Sequence, residues 1–215
     1  MSKINVFLLS GKIGSGKSTV ASIMETELKK RNYNVIQDSF AAPLKNMCKA
    51  AFSPLTEQIN SVVRGMDHLK EFITEDINWF DPKNIITRSI LQAVGTEIVR
   101  KINENYWVDS LVDRIRKNHF FNNTKNNVFV IHDLRFNNEL FLDEKLQRVL
   151  MFEEIKVFKV RIEDNKSRAT IEDNHVSENE LNDFTFWDEV INNDGTIENL
   201  KDKILRFLSR ERMII

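Results

Sequence analysis

Apolar residues in this chain follow two rhythms. The stretches "INVFLLS" (residues 4–10), "VFVIHD" (128–133) and "IKVFKVRI" (155–162) are near-continuous apolar runs, as expected of strands covered on both faces. Two shorter runs, "YNVIQDSF" (33–40) and "DEVINND" (188–194), also read as strands. Helical spacing fills the intervals. Lys17–Lys30 sets Val20, Ile23, Met24 and Leu28 on one side, and Pro43 opens a helix that runs to about Phe52. Ile86–Ile102 carries Ile90, Leu91, Val94 and Ile98 on its apolar face, and Trp107–His119 is a further helix. Another follows the 128–133 strand through about Val149, and Thr196–Arg210 closes the chain as an amphipathic helix.

Strands that alternate with helices imply an α/β fold, a mostly parallel sheet covered on both faces. Ligands of such sheets bind at the carboxyl ends of the strands. Gly11, Ser39, Asp133 and Arg161 each lie at or just past a strand end and are expected on one rim. Residues 55–85 are more polar and less regular, which suits a substrate-side insertion, and residues 162–178 are charged enough for a lid. The expected organisation is thus a single domain, 1–215, with those two embellishments.

Composition narrows the function. With 31 Lys and Arg against 32 Asp and Glu, the net charge is −1, which argues against a nucleic-acid binder. Cys48 is the only cysteine, so no internal disulfide forms and a reducing compartment such as the cytoplasm (of a host cell, were the source viral) fits. No apolar run reaches bilayer-spanning length, so no membrane partner is expected. The first strand runs straight into the glycine turn described next, which leaves no room for a cleaved leader. "FFNNTKNN" (120–127) is a polar loop.

Gly11-Lys12-Ile13-Gly14-Ser15-Gly16-Lys17-Ser18 satisfies G-x-x-x-x-G-K-[ST] at every position, between a strand and a helix. Glycines let the backbone curl so that successive N–H groups face an anion, and the helix that begins near Lys17 adds its positive end. Gly14, Ser15, Gly16, Lys17, Ser18 and Thr19 are the expected contacts of a nucleoside triphosphate, ATP. Lys17 supplies a full charge for the outer phosphates, and Ser18 offers a hydroxyl to Mg²⁺. A switch-type GTPase would carry N/T-K-x-D, whereas "NKSR" (165–168) ends in arginine.

A phosphorylated acceptor brings a second polyanion, so cations must line its side of the site. Three stretches offer them. In "VFVIHDLRF", Asp133 and Arg135 point to one face if the strand stays extended, the acid for Mg²⁺ or a sugar hydroxyl and the arginine for phosphate. An isolated D-x-R also reads as a surface ion pair. In "RSILQAVGTE", Arg88, Gln92 and Thr96 recur every four residues as one helical stripe, and Gly95 allows close approach of a ligand or a neighbouring helix. A solvated face with a chance glycine is the plainer reading. The third stretch holds Arg161 and Arg168, either of which would close over the transferred group from a lid; an ordinary charged loop looks the same. His175 reads as capped or solvent-facing.

The blocks "GKIGSGKST", "SFAAPLK", "LQAVGTE" followed by "NYWV", "HDLRFNNE", "DNHVSE" and "INNDGTIENL" occur in an order that resembles the deoxynucleoside monophosphate kinases of tailed phages and large DNA viruses. The resemblance runs from the glycine turn to the last helix and is weakest at about 50–85. It implies a P-loop NTPase-type parallel sheet, and transfer of the γ-phosphoryl of ATP, with Mg²⁺, to a deoxynucleoside 5′-monophosphate. By that resemblance Arg88, Gly95, Thr96, Trp107, Asp133, Arg135 and Glu139 hold the acceptor, and Asn193, Asp194 and Gly195 shape the adenine pocket. A family arginine falls on Lys70, which lacks the bidentate grip of a guanidinium. Lys17, Asp133 and Arg135, with Arg161 or Arg168, then form the catalytic set. A homodimer is compatible with this reading. The rivals are a kinase like the animal phosphomevalonate kinases, whose acceptor has no base, and an ATP-hydrolysing regulatory module without a small acceptor.

Overall fold

The computed structural model describes residues 3–66, 85–122, 126–151, 153–164 and 176–214. The chain divides into two compact units, Met1–Phe40 with Val108–Ile215, and Ala41–Trp107.

The first unit is built on β1 (Lys3–Ser10), β2 (Asn34–Asp38), β3 (Asn126–Leu134), β4 (Glu154–Glu163) and β5 (Glu189–Asn192). They form one sheet in the order β2-β3-β1-β4-β5, and every pairing is parallel. α1 (Lys17–Lys29) follows β1, and α8 (Ile197–Arg210) ends the chain. Together they cover one face of the sheet, where Phe7, Leu9, Val160 and Ile162 meet Val20, Met24, Leu28, Leu200 and Ile204. Phe7 stacks on Phe158 with centroids 4.9 Å apart, and Phe207 meets both rings edge-on. α8 starts where expected because Thr196 caps it, its Oγ1 accepting from Asn199 N–H at 3.2 Å.

The opposite face carries Ile4, Val6 and Leu8, and α5 (Tyr106–Asn122) is bonded to the sheet at both ends of β2 and β3. At the lower end runs a polar chain. Asn34 Nδ2 donates to Asn127 Oδ1 at 2.8 Å, Asn127 Nδ2 lies 2.9 Å from His119 Nδ1, and His119 Nε2 lies 3.2 Å from Glu153 Oε1. With Asn127 donating, Nδ1 is the acceptor and the ring proton sits on Nε2.

The helix expected after β3 is in two parts. Asn137–Phe141 is a 3₁₀ turn, and α6 (Leu142–Val149) follows it beside β4. The cause is Glu139, whose Oε2 accepts from the N–H groups of Arg135 (2.8 Å) and Phe136 (3.1 Å) and so tightens the first turn.

The second unit holds α2 (Ala42–Phe52), a 3₁₀ turn (Ser53–Leu55), α3 (Thr56–Arg64) and α4 (Ile85–Gln92), which continues as a π-helical segment, Ala93–Arg100. Residues 56–64 are therefore more regular than their polarity suggests, because Pro54 sets a turn from which a new helix starts. In the π segment the bond runs i→i+5, so the four-residue spacing of Arg88, Gln92 and Thr96 no longer keeps Thr96 strictly beneath Gln92. Gly95 is buried there, and a Cβ on it would collide with Leu44 Cδ2. The indole N–H of Trp107 donates to the Gly95 carbonyl at 3.1 Å. The close approach that Gly95 permits is thus that of α2.

Candidate active site

The register sets the rim. Ser10 pairs with Leu134 on one side and Arg161 on the other, and Asp38 pairs with Ile131, so Gly11, Ser39, Asp133 and Arg161 all lie at the carboxyl edge of the sheet.

At the centre of that edge, β1 runs into the glycine turn. Gly11, Gly14 and Gly16 have φ of 149°, 80° and 97°, backbone that side chains rarely adopt. A Cβ at Gly11 would strike the Ile162 carbonyl, and one at Gly16 would strike Asn193 Nδ2. Ser15 is 3% exposed, and its hydroxyl has no partner among the described residues. Lys17 folds back over the turn, with Nζ donating to the carbonyls of Gly11 and Lys12 at 2.5 and 2.8 Å. α1 opens with Gly16 as its cap, which makes no side-chain bond to the first N–H groups. Gly14, Ser18 and Thr19 belong to this turn and first helical turn, Gly14 and Ser18 exposed and Thr19 half-buried.

Asn193, read from sequence as part of an adenine pocket, holds this turn. Its Nδ2 donates to the Ser15 carbonyl at 3.0 Å, and its own N–H donates to the Glu163 carbonyl at 2.7 Å. Asp194 accepts from Lys203 Nζ at 2.7 Å, and Gly195 packs on the Asn199 side chain.

Asp133 is the next-to-last residue of β3 and Arg135 the first beyond it, where the pairing with β1 shifts register between Leu8 and Ser10. Asp133 Oδ1 accepts from Phe40 N–H at 2.8 Å. Arg135 Nη1 donates to Ser177 Oγ at 3.4 Å, and its backbone is fastened by Glu139, a carboxylate 1% exposed. Arg161 Nη1 donates to Ser10 Oγ at 3.2 Å, and its guanidinium lies over the Trp187 ring, 5.6 Å from the centroid. Two arginines thus flank the strand that leads into the glycine turn, one from each neighbouring strand. Ser177, in α7 (Val176–Asn179), was legible only inside the block "DNHVSE", and nothing in the sequence singled out Trp187.

In the second unit, Arg88 is 7% exposed on α4, Gln92 and Thr96 are half-buried, and Trp107 is 3% exposed and tied to Gly95. Lys70 and Arg168 lie outside the described residues.

The donor set suits Mg²⁺. The Ser18 hydroxyl at the start of α1 and the Asp133 carboxylate near the end of β3 are hard oxygen donors of the kind Mg²⁺ takes. Substrate phosphates and water complete such a site.

A parallel sheet with a glycine turn leading from its central strand into a helix, flanked by arginines at the strand ends, defines a P-loop nucleoside-triphosphate fold of the kinase type. A family model described as deoxynucleotide monophosphate kinase matches residues 63–204, and a protein of Acanthamoeba polyphaga mimivirus, provisionally named a deoxynucleotide monophosphate kinase, is 32% identical over 209 residues, covering 92% of each chain. The chain belongs to the deoxynucleotide monophosphate kinase family. Among solved structures, an APS kinase from Mycobacterium tuberculosis (12% identity, 97% of this chain and 99% of that one) and a gluconokinase from Sinorhizobium meliloti (14%, 98% and 93%) each align with a TM-score of 0.40.

Proposed function

We propose that this chain transfers the γ-phosphoryl of ATP to a deoxynucleoside 5′-monophosphate, giving ADP and the diphosphate. The observation that carries the reading is the glycine turn with Arg135 and Arg161 at the carboxyl ends of the two strands that flank β1, a cradle for one polyanion beside cations for another. Bound Mg²⁺ would neutralise charge between the outer phosphates, held through the Ser18 hydroxyl and, directly or through water, the Asp133 carboxylate. The turn's N–H groups and the start of α1 bind the phosphate chain, and Lys17 offers its ammonium to the outer phosphates in place of the Gly11 and Lys12 carbonyls. Arg135 is assigned to the acceptor phosphate, and Arg88, Gln92, Thr96 and Trp107 keep the acceptor roles that the sequence blocks imply. Arg161, held by Ser10 and Trp187, is assigned to the transferred group. The acceptor phosphate is already ionised, so this chain needs no strong general base, and alignment with charge neutralisation carries the rate.

The test is ATP-dependent phosphorylation of each common dNMP and NMP with Mg²⁺, followed by chromatography. Diphosphate formed from at least one monophosphate is the expected result. ADP release independent of any acceptor would overturn the reading in favour of simple hydrolysis.

A further inference from the structure

One side chain outside every block named so far makes a dense set of bonds at the rim. Arg114 lies on α5, where its position in sequence resembles any solvated helix face. Its Nε donates to Asp38 Oδ2 at 2.8 Å and its Nη2 to Asp38 Oδ1 at 3.2 Å, a two-pronged grip on the last residue of β2. Nη2 also donates to the Ser39 carbonyl at 2.7 Å, and Nη1 to Ser110 Oγ at 2.9 Å. Asp38 Oδ1 in turn accepts from Ser39 N–H at 2.7 Å.

The residue after this clamp is Phe40, the last of the first unit's N-terminal segment, and its N–H donates to Asp133 Oδ1. A chain of bonds therefore runs from Ser110 through Arg114 to Asp38 and Ser39, and one residue further to the carboxylate at the end of β3. Both peptide groups of Ser39 are fixed by the clamp, which leaves the Phe40 N–H one orientation. The Asp38–Arg114 pair is only partly solvated, with side chains 14% and 25% exposed, so the grip is stronger than that of an open surface pair.

We infer that Arg114 is a positioning residue for phosphoryl transfer: by clamping Asp38 and Ser39 it holds the Phe40 N–H on Asp133 and so fixes the aim of that carboxylate. A lysine lacks the planar fork and cannot grip both oxygens and the Ser39 carbonyl at once. The inference rests on Asp133 acting in the transfer proposed above.

The test joins a spectroscopic readout with kinetics. In Arg114→Ala that remains folded, the Phe40 amide proton resonance should move and its exchange with solvent should quicken. At the same time kcat should fall about tenfold or more, while KM for ATP stays within about twofold, because misaim of about 1 Å acts on the chemical step. Arg114→Lys should lie between. Where Arg114→Ala does not fold, Asp38→Asn keeps the shape, weakens the same grip and should show the same pattern. An unmoved Phe40 resonance, or a moved one with wild-type kcat, overturns the inference. Inactivity of the wild-type enzyme toward every monophosphate strikes instead at the proposed reaction, and the amide measurement would still report on the clamp.

Discussion

The side-chain amide of Asn193 spans 3.0 Å to the carbonyl of Ser15, joining residues 178 positions apart. It fastens the turn after β5 to the glycine turn, and Gly16 lies so close that only a hydrogen fits between them. Asn193→Ala should raise KM for ATP about fivefold with a smaller change in KM for the acceptor, as expected from loss of one hydrogen bond of about 1 kcal/mol. Steady-state kinetics with each substrate varied in turn checks this. Gly16→Ala should be worse, since it combines a strained φ with a collision on that amide.

Lys17 is half-buried, its Nζ lies on the Gly11 and Lys12 carbonyls, and it is not part of the apolar cluster between α1 and the sheet, so its removal spares that core. Lys17→Met should lower kcat by about 10²–10³ or more, as when one transition-state donor is lost. Its far-ultraviolet circular dichroism should match the wild type. A folded variant with full turnover would remove Lys17 from the mechanism.

Glu139 accepts two backbone N–H groups while almost fully buried. Glu139→Ala leaves those donors without their carboxylate and should cost about 2–3 kcal/mol in urea unfolding. It should also weaken the acceptor, since the backbone of Arg135 is released. Glu139→Gln keeps an accepting oxygen and should recover most of the stability.

Glu27, on α1, is surrounded by Lys30 at 2.8 Å, Lys201 of α8 at 3.0 Å and Arg31 at 3.4 Å. Lys30 first, then Lys201 and Arg31, hold its carboxyl down from an ordinary 4.5 to about 2. A lowered folded-state value means that this stabilisation is complete above about pH 4.5 and is lost as pH falls towards 2. The cations are largely solvated, so its size should be roughly 1 kcal/mol. Urea midpoints measured between those pH values should fall more steeply for the wild type than for Glu27→Gln.

Much of the fold could be read along the chain because β1 and β3 are buried on both faces and so are written as apolar runs, because β4 buries Phe158, Val160 and Ile162 in strand alternation, and because Thr196 marks the start of α8 with its own cap. The glycine turn was equally plain, since its φ values demand glycine. The π-helical segment was hidden: Ala93–Arg100 has ordinary helical spacing, and the close approach of Leu44 to Gly95 joins residues far apart in sequence. The same distance hid the bond from Asn193 to Ser15 and the clamp of Arg114. Glu139 was legible as a residue of interest through its block, but its two inward bonds to the backbone appear only once the chain turns after β3.

The order β2-β3-β1-β4-β5 has a dynamic consequence. β1 is laddered on both sides and its residues from Ile4 to Ser10 are wholly sequestered, so its amides open only when the whole sheet comes apart, whereas β2 and β5 can fray at the margins. The turn we assign to the triphosphate is therefore hung from a strand sequestered within the sheet. Breathing of the outer strands would loosen the guanidinium clamp and the Asn193 tether well before it disturbed the root of the cradle.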